Sequence, residues 1–160
     1  MTAARIESLL AEGTRTLAGD PAAAAGARLD AQLLLAHVLG VPRARLHSHP
    51  EATAAAAQAA RYRQLIARRA AGEPLAYLTG RREFWSLELA VTPAVLIPRP
   101  ETELLVERAL ALGPAAARVA DLGTGSGAVA LALAHERPRW RLIATDVSAA
   151  ALAVARANAL

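Results

Sequence analysis

The residues best suited to chemistry lie between Val119 and Ala128. Val119-Ala120-Asp121-Leu122-Gly123-Thr124-Gly125-Ser126-Gly127-Ala128 reads as a short apolar strand, an acid at its end, a glycine-rich loop and an apolar helix. That order suits a nucleoside-containing cofactor lying against bare backbone. Three loop chemistries compete for Asp121 to Gly127. A phosphate-cradling P-loop fails, because no Gly-Lys-Ser/Thr follows. A dinucleotide fingerprint is satisfied by Gly123, Gly125 and Ala128, with Asp146 near the roughly 20-residue spacing of a ribose-binding acid. An S-adenosylmethionine loop of the acid-x-Gly-x-Gly-x-Gly type is satisfied as well, by Asp121 with Gly123, Gly125 and Gly127.

Charge separates the last two. A dinucleotide would bring an anionic pyrophosphate to the turn, where Asp121 would oppose it in a poorly screened cleft. S-adenosylmethionine brings an ammonium and a sulfonium, and a carboxylate at position 121 attracts both. Asp146, at the end of the next strand, can accept protons from both ribose hydroxyls and serves either cofactor. A turn rich in glycine for geometry alone is the bland alternative. Three alternating glycines after an acid at a strand end argue against it.

The elements that must position this loop follow from patterning. Residues 1–75 read as a helical bundle. A first helix spans about 3–17. A second starts at Asp20-Pro21 and runs to Leu39, with Leu29, Leu33, Ala36 and Leu39 near one face and Leu34 and Val38 beside them. A third spans about 53–71, with Tyr62, Leu65 and Ile66 as its contacts. Gly40 with Pro42, and Gly72 with Pro74, are stop signals. The pattern then changes to alternation, Trp85, Leu87, Leu89 and Val91 against Ser86, Glu88 and Ala90, the period of a half-buried strand. With Val95-Leu96-Ile97 as a second strand, residues 83–97 are expected to form a hairpin. Pro98-Arg99-Pro100 stiffens the link to a helix over 101–112, where Glu101 and Glu103 suit the positive end of the dipole. From Arg118 on, strands at 118–122 and 141–145 alternate with helices at 127–136 and 148–158, with Ser148 as N-cap. This βαβα unit predicts a parallel sheet.

Bulk composition bounds the rest. Apolar residues make up 54% of the 160-residue chain, carried by alanine and leucine, while aromatics are only 3%. Cysteine is absent, which excludes disulfides and thiolate metal sites. An apolar run such as Ala128 to Ala134 is too short to span a bilayer, and the N-terminus has no signal-type apolar run. A soluble, cytoplasmic protein is expected. Every basic side chain is arginine, and the net charge is +4. The arginines are spread, so the groups at Arg61, Arg63, Arg68 and Arg69 and at Arg81 and Arg82 read as solvated faces rather than a phosphate-binding patch.

With these residues in hand, the chain resembles the HemK/PrmC family, the peptide chain release factor N5-glutamine methyltransferases. The resemblance rests on Leu29-Asp30-Ala31 with Leu33-Leu34-Leu35 and on Glu73-Pro74-Leu75-Ala76-Tyr77-Leu78-Thr79-Gly80. It continues through Glu83-Phe84, Leu96-Ile97-Pro98-Arg99-Pro100-Glu101-Thr102-Glu103, and Asp121 to Gly127. Many methyltransferases share the cofactor loop; the Ile-Pro-Arg-Pro-Glu-Thr-Glu segment is far more specific. The resemblance implies an α/β architecture in three parts. Residues 1–75 form a helical domain that helps to hold the release factor, 76–98 a β-hairpin linker, and 99–160 the first βαβα part of a Rossmann-like class I methyltransferase domain. It implies S-adenosylmethionine-dependent methylation of the glutamine side-chain amide in the Gly-Gly-Gln motif, a step in translation termination. By position, Asp121, Gly123, Thr124, Gly125, Ser126, Gly127 and Asp146 match the family's cofactor-binding residues, and Pro98 to Glu103 match a stretch near its active site.

One departure is large. The family carries an Asn-Pro-Pro-Tyr motif after a later strand. Here Asn158 is the sole asparagine and no proline follows Pro138. An amide nitrogen is a poor nucleophile because its lone pair is delocalised, and that motif is the group expected to orient it. No catalytic residue is therefore assigned up to Leu160. The chain is expected to be an N-terminal portion that binds cofactor without completing the reaction, with 99–160 only marginally stable alone. The partner implied is a release factor; neither a membrane nor nucleic acid is expected as a direct partner. Close relatives that act on a ribosomal-protein glutamine are an alternative, as is an NAD-dependent oxidoreductase. A third reading is a helical RNA-binding adaptor, which predicts steeply salt-dependent binding by residues 1–75.

The other polar residues suit structural roles. His37 reads as a satisfied structural histidine, and His135 suits the C-terminal end of its helix. His47 and His49, two histidines flanking Ser48, are weak evidence for zinc, so no metal site is expected. Phe84 and Trp85 read as core.

Overall fold

The structure, a computed structural model, describes residues 3–19 and 25–160. The helix start read at Asp20-Pro21 lies outside them. The chain divides into two compact units, Met1–Thr79 and Gly80–Leu160. The first thus takes in Leu75–Thr79, and the hairpin belongs to the second.

The first unit begins with strand β1 (Ala4–Arg5) and helix α1 (Ile6–Ala18). Ile6, Leu9, Gly13 and Leu17 recur at helical spacing and are all buried. Helix α2 (Ala27–Leu39) buries Ala27, Ala31, Leu34, Leu35 and Ala36. This face is rotated from the expected one, and Leu29 is left 44% exposed. The helix is apolar nearly all round, so periodicity alone could not choose. The small Ala27 and Ala31 are both buried, so this side of α2 faces the core.

Pro42 starts a short helix α3 (Arg43–Ser48), which carries no apolar periodicity, and only Leu46 of it is buried. Strand β2 (Thr53–Ala54) pairs antiparallel with β1, so helix α4 (Ala56–Ala70) starts three residues later than expected. Helix α5 (Leu75–Thr79) closes the unit over Leu78. Tyr62 of α4 is fully buried against Gly13, where an added Cβ would lie 2.0 Å from the Tyr62 hydroxyl.

The arginines of α4 are drawn to carboxylates. Arg63 pairs with Glu12 at 2.8 Å and Arg69 with Asp30 at 2.7 Å, and Arg68 pairs with Glu73.

The second unit opens with a hairpin, β3 (Arg81–Phe84) against β4 (Leu87–Ala90). The hairpin spans 81–90 rather than the expected 83–97. Its turn is Trp85-Ser86, and residues 95–97 are not a strand. Both turn residues have positive φ, 52° and 58°, the geometry of a tight two-residue hairpin turn. Neither is the asparagine or glycine such a turn normally uses, so alternation ran straight through it. The strain is offset by two carboxylates: Glu103 Oε1 accepts from the Trp85 N–H at 3.0 Å, and Glu136 Oε1 accepts from Trp85 Nε1 at 2.8 Å.

Pro100–Thr102 forms one 3-10 turn ahead of helix α6 (Glu103–Leu112). Strand β5 (Arg118–Leu122), helix α7 (Ala128–Glu136), strand β6 (Arg141–Thr145) and helix α8 (Ala149–Asn158) complete the unit. β5 and β6 pair in parallel, with Asp121 opposite Ala144 and Leu122 opposite Thr145. The core joins Phe84 and Leu89 of the hairpin to Val106, Ala128, Ala132, Leu133 and Trp140. Leu122 and Ile143 on the strands remain 78% and 66% exposed.

Candidate cofactor-binding site

The site forms where β5 and β6 end side by side. The loop leaving β5 is docked onto the end of β6: the N–H groups of Gly123 and Thr124 both donate to the Thr145 carbonyl at 2.9 Å. Gly123, Gly125 and Gly127 have φ of 80°, 57° and 83°. That left-handed run is why alternating glycines are needed here, since a side chain at each would cost about 1–2 kcal/mol. The Gly127 N–H donates to the Thr124 carbonyl at 2.9 Å and so closes the loop into α7.

Both predicted acids are built into this turn. Asp121 Oδ2 accepts from Thr124 Oγ1 at 2.7 Å. Asp146 spans the loop and the next helix: Oδ2 accepts from the Gly125 N–H and Oδ1 from the Ser148 N–H, each at 2.9 Å. These donors, Ser148 first and Gly125 next, hold the Asp146 carboxyl below the usual carboxylate range. It is therefore ionised at neutral pH, and the carboxylate can still accept from a further donor. Ser148 Oγ also accepts from the Ala151 N–H at 3.2 Å, the N-cap expected for α8.

The loop brings all seven predicted residues together, but they present different faces. Thr124 and Ser126 are 7% and 2% exposed, so their side chains serve the loop's own packing. An ideal Cβ on Gly123 or Gly125 meets nothing within 4 Å, whereas one on Gly127 lies 3.3 Å from Ala155 Cβ and Leu131 Cδ1. Backbone at 123 and 125 thus borders open space, and Gly127 is small for helix packing. A ligand approaching that side meets bare backbone with a carboxylate at each strand end, a setting for a group that is cationic and carries hydroxyl donors.

A cavity of about 400 Å³ lined by Gly127, Leu131, Asp146, Leu152, Ala155 and Arg156 adjoins the loop. A larger one of about 510 Å³, bordered by Leu10, Arg15, Arg28, Gln32 and His47, lies in the helical unit. Volume alone does not mark the site; the convergence of backbone and acids does.

Sequence reasoning missed three polar anchors. Glu103 and Glu136 hold the hairpin turn, so Glu103 does more than favour a helix dipole. Asn158 donates to the Ser126 carbonyl at 2.9 Å. None carries a short-range signal, because each acts over 18 to 68 residues of separation. His49 Nδ1 lies 2.8 Å from Ser48 Oγ. Among the described residues no group of three His, Cys, Asp or Glu could hold a metal ion, and no helix is long and apolar enough to cross a membrane.

Comparison with known proteins divides the chain in the same order. Residues 8–80 match the PrmC N-terminal domain, and residues 100–160 match the methyltransferase small domain. A protein of Burkholderia pseudomallei named release factor glutamine methyltransferase is 59% identical over 133 residues, 82% of this chain and 47% of that protein. Proteins of the same name from Bordetella pertussis and Coxiella burnetii are each 56% identical over 134 residues. These matches cover 82% of this chain and 50% and 48% of those proteins. The chain spans about half the length of the curated relatives it matches.

Proposed function

Since the chain belongs to the HemK/PrmC family, we propose that it contributes the cofactor loop and the substrate-holding helices of a protein-(glutamine-N5) methyltransferase. The substrate is the Gly-Gly-Gln glutamine of peptide chain release factors, and the methyl donor is S-adenosylmethionine. The observation that carries this reading is the open backbone at Gly123 and Gly125 between two strand-end acids.

The residues present fit that donor. Asp121 supplies negative charge toward an ammonium and a sulfonium. The backbone at Gly123 and Gly125 permits close approach, and Asp146, held ionised by backbone N–H groups, can still accept from the ribose hydroxyls. Bound there, the cofactor supplies the methyl group. Residues 1–75 are the part assigned to holding the release factor, and 76–98 link them to the cofactor domain. Three of the four arginines of the α4 group are engaged by carboxylates, which supports a protein rather than a nucleic-acid partner for this unit. The reaction belongs in the cytoplasm, where release factors act.

The test is a graft. This chain replaces the matching half of the Burkholderia pseudomallei relative, and transfer of labelled methyl is followed to a release factor and to a variant with the Gly-Gly-Gln glutamine changed to alanine. Label on the first and not the second is expected. A folded graft that labels neither, or labels a ribosomal protein instead, overturns the substrate assignment.

A further inference from the structure

Ala90 and Ser126 are 36 positions apart in sequence, yet one side chain satisfies both. Asn158 Oδ1 accepts from the Ala90 N–H at 2.7 Å, and Asn158 Nδ2 donates to the Ala90 carbonyl at 3.0 Å and to the Ser126 carbonyl at 2.9 Å. Both Nδ2 hydrogens are engaged. Reversing the amide would set donor against donor and acceptor against two acceptors, so its orientation is determined.

Hairpin geometry explains why Ala90 needs this partner. Phe84 and Leu87 flank the two-residue turn and form a hydrogen-bonded pair, so hydrogen-bonded and open pairs alternate down the ladder. Arg81 and Ala90, three pairs on, form an open pair, and the Val91 N–H returns to the Gly80 carbonyl at 2.9 Å. The Ala90 N–H and carbonyl therefore face away from β3. Asn158 takes the place of a neighbouring strand for that one residue.

The other end of the amide reaches the loop. The peptide joining Ser126 to Gly127 is held from both sides: its carbonyl by Asn158, its N–H by the Thr124 carbonyl. Thr145 and Asp146 fix the loop's first half, at the N–H groups of Gly123, Thr124 and Gly125. Asn158 is the only side chain outside the loop that fixes its second half among the described residues.

We propose that Asn158 is a positioning residue for the cofactor reaction: it clamps the glycine loop in its left-handed form and ties that form to the outer edge of the hairpin. The proposal rests on the cofactor assignment above for its functional consequence, but the clamp itself stands on the hydrogen bonds alone. It also gives the hairpin a role beyond linking, since the edge of β4 and the cofactor loop share one amide.

Selective labelling tests it, because the sole asparagine yields a single side-chain NH₂ pair in a δ-¹⁵N-asparagine spectrum. In the 160-residue protein the pair is expected to be protected from exchange and to shift when S-adenosylmethionine is added; a solvent-like, fast-exchanging pair overturns the clamp. Without cofactor, Asn158→Ala should speed exchange of the Gly127 and Ala90 amides about tenfold. Asn158→Asp keeps an acceptor for the Ala90 N–H but sets a carboxylate against two carbonyls. It should spare Ala90 and still free Gly127, and Gly127 protection equal to wild type overturns the proposal. S-adenosylmethionine affinity should fall about tenfold in both variants, alongside a modest fall in melting temperature. Loss of melting temperature with unaltered affinity leaves Asn158 a structural residue only and rejects the positioning role. Failure of the unsubstituted protein to bind S-adenosylmethionine removes the cofactor assignment, while the cofactor-free exchange data still decide the clamp.

Discussion

Replacing Gly125 separates the backbone's needs from the ligand's. Its φ is 57°, and an ideal Cβ there meets no atom within 4 Å. In the free protein Gly125→Ala therefore carries only the left-handed penalty, about 1–2 kcal/mol. Its N–H still reaches Asp146, so that hydrogen bond survives. Gly125→Val adds a branched side chain whose χ1 is restricted, and the free protein should lose somewhat more. The cofactor-bound state differs, because the empty space beside Gly125 is where the proposed methyl donor would lie. Overpacking of about 1–3 kcal/mol then falls on binding alone, roughly a fivefold to 150-fold loss of affinity. Urea unfolding and calorimetric titration with S-adenosylmethionine on the same samples read the two terms. The expected result is a small stability loss with a large affinity loss in Gly125→Val. Unaltered affinity in that variant refutes the site, and an alanine penalty well above about 2 kcal/mol refutes the open space.

Three further outcomes follow from the geometry. Asp146 has a folded pKa below its unfolded value, so its contribution is full above the unfolded pKa and is lost as pH falls through the folded one. Asp146→Asn should flatten the acid limb of melting temperature against pH below the ordinary carboxylate range, and an unchanged limb contradicts this. Gly13→Ala forces a methyl to 2.0 Å from the Tyr62 hydroxyl and should cost about 1–3 kcal/mol in urea unfolding. That hydroxyl is buried without a hydrogen-bond partner among the described residues, so Tyr62→Phe should be neutral or stabilising and should recover part of the Gly13→Ala loss; strictly additive losses would count against the contact. Ser86 sits at φ 58°, and Ser86→Gly should raise stability by about 0.5–1 kcal/mol, read as a higher melting temperature; a fall means the turn is not strained.

Much of the second unit was legible because its signals are local. Strands 118–122 and 141–145 are bounded as their apolar runs end, and Ser148 caps α8 as its position suggests. The glycine loop announces itself because φ near 60–80° at alternate positions leaves few other residue types. What stayed hidden depends on partners distant in sequence. Trp85-Ser86 looks like strand, since nothing nearby reveals that Glu103 and Glu136 support a left-handed turn there. Asn158 looks like a helix-end residue until Ala90 and Ser126 are placed beside it. In α2 the small Ala27 and Ala31 decide the buried face, and small residues weigh little in a hydrophobic pattern.

Side-by-side calorimetric titration of this chain with S-adenosylmethionine and with NADH bears most directly on the charge argument at Asp121. Saturable binding of the sulfonium compound, absent for NADH and weakened by Asp121→Asn, is the outcome expected. Binding of NADH with none of S-adenosylmethionine would contradict it.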